Sequence, residues 1–213
     1  TVNRHRGGSV LLDEPEVVYE LVKAVRDAIP ADIPVSAKMR LGYMDRNFTL
    51  ENAHAIEDAG AAWVTVHART KADGYTPPAF WDQLQPIREA LKINVIANGE
   101  IWSNADAKAC LQQSQCQDLM IGRGAVTTPD LTLCIRQNQD SAMLSWQDLV
   151  KLQQRFLSGQ YKTEIGMIGR YKQWLGMMSK AYPEAQQLWN QVKRIKQLDQ
   201  IIDCLESGFL LQE

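Results

Sequence analysis

Apolar residues recur along this chain with two different periods. As far as about residue 140, short runs rich in β-branched residues alternate with stretches whose apolar positions return at helical spacing. In Asp13-Glu14-Pro15-Glu16 a capping residue and an early proline accompany a carboxylate three positions on, and Val17, Leu21 and Val25 then mark one face of a helix. Ile33 to Gly42 reads as a strand, Leu50 to Ala59 as a helix closed by Gly60, and Ala62 to Ala68 as a second strand. The unit then recurs. Phe80 to Leu91 is helical, Ile93 to Ala97 is a strand, Ser103-Asn104-Ala105-Asp106 caps the next helix, and Asp118 to Ile121 is a fourth strand. Thr128-Pro129 opens a further helix, with proline where its missing N–H does no harm.

Strands separated by helices pair in parallel through right-handed crossovers, which suits both a doubly wound sheet and a βα-barrel. A doubly wound sheet gathers its ligand-binding residues at one switch point, whereas a barrel distributes them over the C-terminal ends of all its strands. Here every strand ends in such residues: Lys38 and Arg40, His67 and Arg69, Asn98-Gly99-Glu100, and Gly122-Arg123-Gly124. The expected fold is therefore α/β, the C-terminal half of a TIM (β/α)8 barrel over residues 1–140, contributing its last four strands. From about Ser141 the strand pattern gives way to Trp146, Leu149, Val150, Leu152, then Tyr171, Trp174, Leu175, Met178, then Leu188, Trp189, Val192, Ile195, which predicts an all-α bundle over 141–213. Four strands do not close a ring of eight, and the chain opens at Thr1 in a basic, glycine-containing loop. The remaining strands are expected in a preceding segment.

Charge changes this picture by region. The formal net charge of -2 gives no global sign of a nucleic-acid binder. Thr1–Asp140 carries 14 Lys and Arg against 18 Asp and Glu, but Gln160–Lys196 carries 7 against 2. A basic helical tail beside an acidic barrel suits contact with a phosphate backbone. Cys110, Cys116, Cys134 and Cys204 form no C-x-x-C pair, sit in apolar or helical surroundings and follow no secretory leader, so they read as reduced and structural in a cytoplasmic protein. No run reaches the roughly 18 apolar residues of a membrane span, and no obligate protein partner is evident.

The strand ends supply the candidate chemistry. Gly122-Arg123-Gly124 and Asn98-Gly99-Glu100 either make tight turns or let backbone N–H groups approach a phosphate, the site that barrels build from their last two loops. Strand alternation puts Ser36, Lys38 and Arg40 on one face, where the cations either pair with a neighbouring carboxylate or meet an anionic ligand. His67 and Arg69 share a face in the same way, and His67 is either a satisfied core residue or a ligand contact. A zinc site lacks a second histidine or cysteine at ligand spacing. Beyond these strands, Tyr75 is placed to stack on a planar group and Trp81 to pack. Arg170 and Lys172 lie on a helix as either a solvated face or phosphate contacts.

Val35-Ser36-Ala37-Lys38-Met39-Arg40-Leu41-Gly42, Val66-His67-Ala68-Arg69-Thr70, Val95-Ile96-Ala97-Asn98-Gly99-Glu100-Ile101 and Met120-Ile121-Gly122-Arg123-Gly124-Ala125, in that order and spacing, closely resemble the tRNA dihydrouridine synthases. The match spans essentially the whole chain. Its tail, with Ile168-Gly169-Arg170-Tyr171-Lys172-Gln173-Trp174-Leu175, looks like the C-type bacterial branch. The resemblance implies an FMN-containing TIM barrel with a C-terminal helical RNA-binding domain, reducing uridine at the sixteenth nucleotide of the tRNA D-loop at the expense of NADPH. It implies that Lys38 and His67 contact the flavin, that Asn98, Gly99, Glu100, Gly122 and Arg123 hold its phosphate, and that Tyr75, Arg170 and Lys172 meet tRNA. In that family a cysteine in an Asn-x-x-Cys-Pro loop, just upstream of the position matching Thr1, donates the proton that C5 of the uracil takes after hydride reaches C6, and none of the four cysteines here matches it. No catalytic residue is therefore expected within the chain, which alone would be inactive and bind FMN weakly. Two alternatives remain: a tRNA-binding fragment without catalysis, and an FMN barrel of the dihydroorotate dehydrogenase type.

Overall fold

The computed structural model describes residues 7–159 and 163–210. The basic opening as far as Arg6, and Lys162 in the cationic stretch, lie outside the described residues. Compactness divides the chain into two units, Thr1–Ile101 with Ala105–Gly122, and Trp102–Asn104 with Arg123–Glu213. The division falls at Gly122 and Arg123, upstream of the boundary at 140 read from the periodicity.

The first unit holds one sheet of four parallel strands in sequential order: β1 (Ser36–Arg40), β2 (Trp63–His67), β3 (Asn94–Asn98) and β4 (Asp118–Met120). Sequential parallel order with helical crossovers is the layout of half a βα-barrel. Its two faces differ sharply. Ala37, Met39, Val64, Val66, Val95, Ala97 and Leu119 alternate onto one face, and most are buried. On the other stand Lys38, Arg40, Thr65, His67, Ile96, Asn98 and Met120, a polar and more open set. Helix α1 (Pro15–Ala28) precedes β1, and the crossover helices are α2 (Thr49–Asp58), α3 (Gln85–Ala90) and α4 (Asn104–Ser114).

Local chemistry fixes where these elements begin and end. A 3-10 helix, Gly8–Asp13, precedes α1, so Asp13 closes that turn and does not cap α1; the N-cap is Glu14, without a side-chain bond, and Pro15 supplies the preset φ. The segment read as one helix over 80–91 begins as a 3-10 turn, Trp81–Leu84, because Pro86 suits only the first turn of the α3 that follows. Gly60, at φ +90°, stops α2 in a conformation open mainly to glycine. The Glu57 carboxylate accepts from the N–H groups of Lys92 and Ile93 at 2.6 and 2.9 Å, tying α2 to the entry of β3.

The second unit contains α5 (Arg123–Thr127), α6 (Leu131–Arg136), α7 (Trp146–Leu157), α8 (Glu164–Met178), α9 (Pro183–Val192) and α10 (Leu198–Leu210). Thr128-Pro129 does not open a helix: it forms the turn between α5 and α6, whose N-cap is Asp130. Ser145 caps α7 in a reciprocal capping box with Asp148. The core joins Leu149, Leu157, Met167, Tyr171, Leu175, Leu188, Ile201 and Leu205, among others. Tyr171 is fully buried, and its hydroxyl donates to Gln153 Oε1 at 2.9 Å, so the one polar atom it carries inward is satisfied. Helix α10 lies beyond the apolar pattern read from the sequence, and Ile195 follows the end of α9 instead of lying on it.

Candidate functional site

Parallel register assembles the site. Arg40, His67, Asn98 and Met120 are consecutive partners across the four strands, and Lys38 stands opposite Thr65, two residues behind on the same face. Cross-strand partners and next-but-one residues share a face. Lys38, Arg40, His67 and Asn98 therefore converge at the C-terminal ends of β1 to β3, as the strand-end pattern predicts.

Each side chain there has a physical setting. Lys38 is among the exposed residues of β1, yet the protein around its ammonium displaces part of its water. That burial first, and the Arg40 charge second, hold Lys38 below the ordinary lysine range. Arg40 donates through Nη1 to the carbonyls of Thr70 and Gly74 at 2.8 and 3.3 Å, and its guanidinium lies 5.3 Å from the Tyr75 ring centroid. Arg40 thus braces the loop after β2 that carries Tyr75. His67 is buried, and its ring centroid is 6.2 Å from that of Tyr75, which is 63% exposed and so available to a partner from solution. The same loop is closed by Asp73, which accepts from Thr70 N–H at 2.7 Å. Burial alone would raise the Asp73 carboxyl, but the bonds from Thr70 and the Arg46 charge outweigh it and hold it below the usual range.

After β3 the backbone turns through Gly99 at φ +124° and Glu100 at φ +52°. A Cβ on Gly99 would stand 2.9 Å from His67 Cδ2, so this turn packs directly on the imidazole. Trp81 packs here as expected, its Nε1 donating to the Gly99 carbonyl at 2.8 Å. Asn98 Nδ2 donates to the Met120 carbonyl at 2.7 Å, which anchors the end of β4. Gly99→Ala is expected to displace the imidazole and strain the turn, costing roughly 1–3 kcal/mol. Thermal unfolding with a His67 ring-proton shift checks this, and an unchanged midpoint and shift would count against the packing described.

The ion pair of Arg69 with Glu100 is the feature that the sequence reading missed. Arg69 lies beyond the end of β2, where its N–H bonds the His67 carbonyl at 2.7 Å, so strand alternation no longer decides where its side chain goes. It is fully buried, donates through Nη1 to Glu100 Oε1 at 3.0 Å and through Nε to the Pro78 carbonyl at 3.1 Å, and leaves Nη2 without a partner. The Glu100 carboxylate is therefore committed to Arg69.

This donor set fits an anionic cofactor. Lys38, Arg40 and His67 share one rim, the Glu100 carboxylate is paired with Arg69, and among the described residues other than its chain neighbours none has an atom within 4 Å of the Cβ position of Gly122, which leaves room for close approach. An apolar groove of about 560 Å³ runs from Gly8 and Leu11 along β1 and shares Lys38 and Arg40 with the rim, but not His67, Asn98 or Gly99. Arg123 belongs to the second unit, where its guanidinium lies 5.1 Å from the Trp102 ring centroid.

On the second unit Arg170 is exposed on α8. Lys172 is half-buried and donates to the carbonyls of Lys193, at 3.2 Å, and Ile195. Burial and then the neighbouring Lys196 charge hold Lys172 below the ordinary lysine range. All four cysteines are free, with Cys110, Cys116 and Cys134 buried. Burial first, and Cys116 next, push the Cys110 thiol up to about 12. Among the described residues no cluster of His, Cys, Asp and Glu is arranged to hold a metal ion, and no helix is long and apolar enough to cross a membrane.

The chain is 44% identical over 211 residues to the tRNA-dihydrouridine(16) synthase of Shewanella oneidensis, covering 97% of this chain and 66% of that protein. It is 44% identical over 206 residues to the protein of that name from Pseudomonas syringae pv. tomato, covering 94% and 65%, and 43% identical over 207 residues to that from Neisseria meningitidis, covering 94% and 62%. The chain thus spans somewhat under two-thirds of the length of these curated relatives. The family model for dihydrouridine synthase matches residues 1–210, and the chain belongs to the dihydrouridine synthase family.

Proposed function

We propose that the chain forms the flavin-binding and RNA-binding parts of an enzyme that reduces uridine to 5,6-dihydrouridine in the tRNA D-loop, at position 16, with FMN as cofactor and NADPH as reductant. The observation that carries this reading is the register that puts Arg40, His67 and Asn98 side by side, with Lys38 behind them, in a chain of this family. Such a role belongs to the cytoplasm, where tRNA is the partner.

Lys38, His67 and the turn at Gly99 would hold FMN at this rim, where the cofactor would supply hydride chemistry for the uracil ring. Lys38 would place a positive charge beside the flavin, the sign that suits an electron-rich ring. His67, wedged by Gly99, forms a rigid wall of the same pocket. Asn98, Gly99 and Gly122 offer N–H groups to the phosphate, and Arg123 is assigned to the same group by the family resemblance alone. Glu100 contributes through its backbone, since its carboxylate is held by Arg69. Tyr75 offers an exposed ring at the mouth for a base taken out of its stack. The proton for the other carbon of the reduced bond is assigned to none of the buried thiols Cys110, Cys116 and Cys134.

Arg170 and the cations around Lys172 serve tRNA. Arg170→Ala is expected to lower the slope of log affinity against log salt by roughly 1, as for loss of one phosphate contact; an unchanged slope removes Arg170 from the interface. The reading as a whole is tested by FMN fluorescence quenching and by gel shift of an unmodified tRNA transcript. Flavin binding without tRNA binding would remove the RNA-binding part of the proposal. The reverse would leave a tRNA-binding fragment without catalysis, and failure of both would refute the proposal.

A further inference from the structure

The loop after β2 carries Tyr75, yet little packing holds it. Lys71, Ala72 and Tyr75 are exposed, and Asp73 and Gly74 are half-buried. Fixing the backbone of such residues costs entropy, so where packing does not order the loop its polar ties must. Those ties run to the loop after β1. The N–H groups of Lys71 and Ala72 donate to the carbonyls of Gly42 and Tyr43, both at 3.0 Å, beyond the ends of the paired strands. At Gly42 the first loop folds back so tightly that a Cβ would stand 1.8 Å from the Asp45 carbonyl oxygen, and Arg46 follows directly on that bend.

Arg46 bridges two parts of the second loop. Its guanidinium lies 4.1 Å from the Phe80 ring centroid, and its Nη2 lies 3.5 Å from Asp73 Oδ2, the same oxygen that accepts from the Thr70 N–H. Phe80 is itself anchored at the end of β2, since its N–H bonds the Ala68 carbonyl at 2.8 Å. Arg46 thus joins Asp73, just before Tyr75, to an aromatic platform just after it. A carboxylate so near the mouth opposes an approaching polyanion unless its charge is matched, and Arg46 matches it. The Tyr75 ring, 6.2 Å from His67 between centroids, is in place before any ligand arrives, so less freedom is lost on binding.

We propose that Arg46 and Asp73 are positioning residues that hold the Tyr75 ring where it stacks on a base of tRNA, acting through the loop and not by RNA contacts of their own. This rests on the RNA-binding reading above.

The test titrates an unmodified tRNA transcript, at several salt concentrations, into the parent chain, Arg46→Met, Asp73→Asn, Tyr75→Ala and the double variant Arg46→Met with Tyr75→Ala, and follows backbone hydrogen exchange at 70–75. Tyr75→Ala should weaken binding roughly tenfold, as for loss of one stacked base. Arg46→Met should weaken it about two- to fivefold, the scale of a partly exposed ion pair, accelerate exchange in the loop and leave the salt slope unchanged. Once the Tyr75 ring is gone, Arg46→Met should cost nothing further, because its effect passes through that ring. Asp73→Asn sets two effects against each other. The amide there still accepts from Thr70, so electrostatics alone would tighten binding to a polyanion, whereas loss of the clasp weakens it about two- to fivefold with faster exchange. A slope lower by about 1 in Arg46→Met, an undiminished cost of Arg46→Met without the Tyr75 ring, or tighter binding by Asp73→Asn would each overturn the proposal. Absence of tRNA binding by the parent would overturn the RNA reading and this role with it, whereas parent binding that Arg46→Met and Asp73→Asn leave unaltered would overturn the role alone.

Discussion

Arg69→Met should lower stability by roughly 3–5 kcal/mol, the penalty for breaking a buried ion pair from one side. Arg69 is completely buried and Glu100 is 15% exposed, so neither charge recovers much water when its partner is lost. The variant also deletes the bond from Arg69 Nε to the Pro78 carbonyl, which ties the loop after β2 to the same point. For a chain of this size the midpoint of thermal unfolding should fall by about 6–20 °C. Replacing both residues by apolar ones of similar volume should recover part of the loss, because the pair's own desolvation disappears with it. A midpoint within a degree or two of the parent would show that the pair does not hold the turn at Gly99 and Glu100. If the turn meets the FMN phosphate as proposed, the same variant should weaken FMN retention, since this bond sets the backbone of that turn.

Lys38→Ala should weaken FMN binding by roughly 10- to 100-fold, the range expected for loss of one charge-assisted contact. Titration of flavin fluorescence measures this directly. The depressed ammonium adds a pH signature. Lys38 loses its proton at lower pH than an ordinary lysine, so the affinity it confers is present below that point and declines as pH rises through it. Lys38→Arg keeps its charge throughout and should flatten the profile even if its affinity is lower. Unchanged flavin affinity in Lys38→Ala, or a profile identical in Lys38→Arg, would take Lys38 out of the flavin site.

Much of the architecture was legible because it follows from local periodicity. The strands about Lys38, His67 and Asn98 and the crossover helices announce themselves by alternation, helical spacing and the stop at Gly60, and parallel pairing follows from the helices between strands. Misreadings cluster at boundaries, where several weak preferences compete. Asp13 has the chemistry of a cap but ends a 3-10 turn, and Thr128-Pro129 has the chemistry of a helix start but joins two short helices. Ile195 continues the apolar spacing of α9, yet the helix has already ended and Ile195 packs from a turn.

The sequence by itself determined that cations, an imidazole and glycines stand at the ends of parallel strands, because side-chain alternation and strand order are local and topological properties. It could not decide which of those charges remain available, since that depends on partners distant in the chain. Glu100 reads only as part of a tight turn or phosphate loop until Arg69, from the neighbouring strand end, is found bonded to its carboxylate. Lys172 reads as one more surface cation until the carbonyls of Lys193 and Ile195 are found around its ammonium. In both cases removing charge from water is unfavourable unless an exact partner meets it, and only tertiary packing supplies that partner.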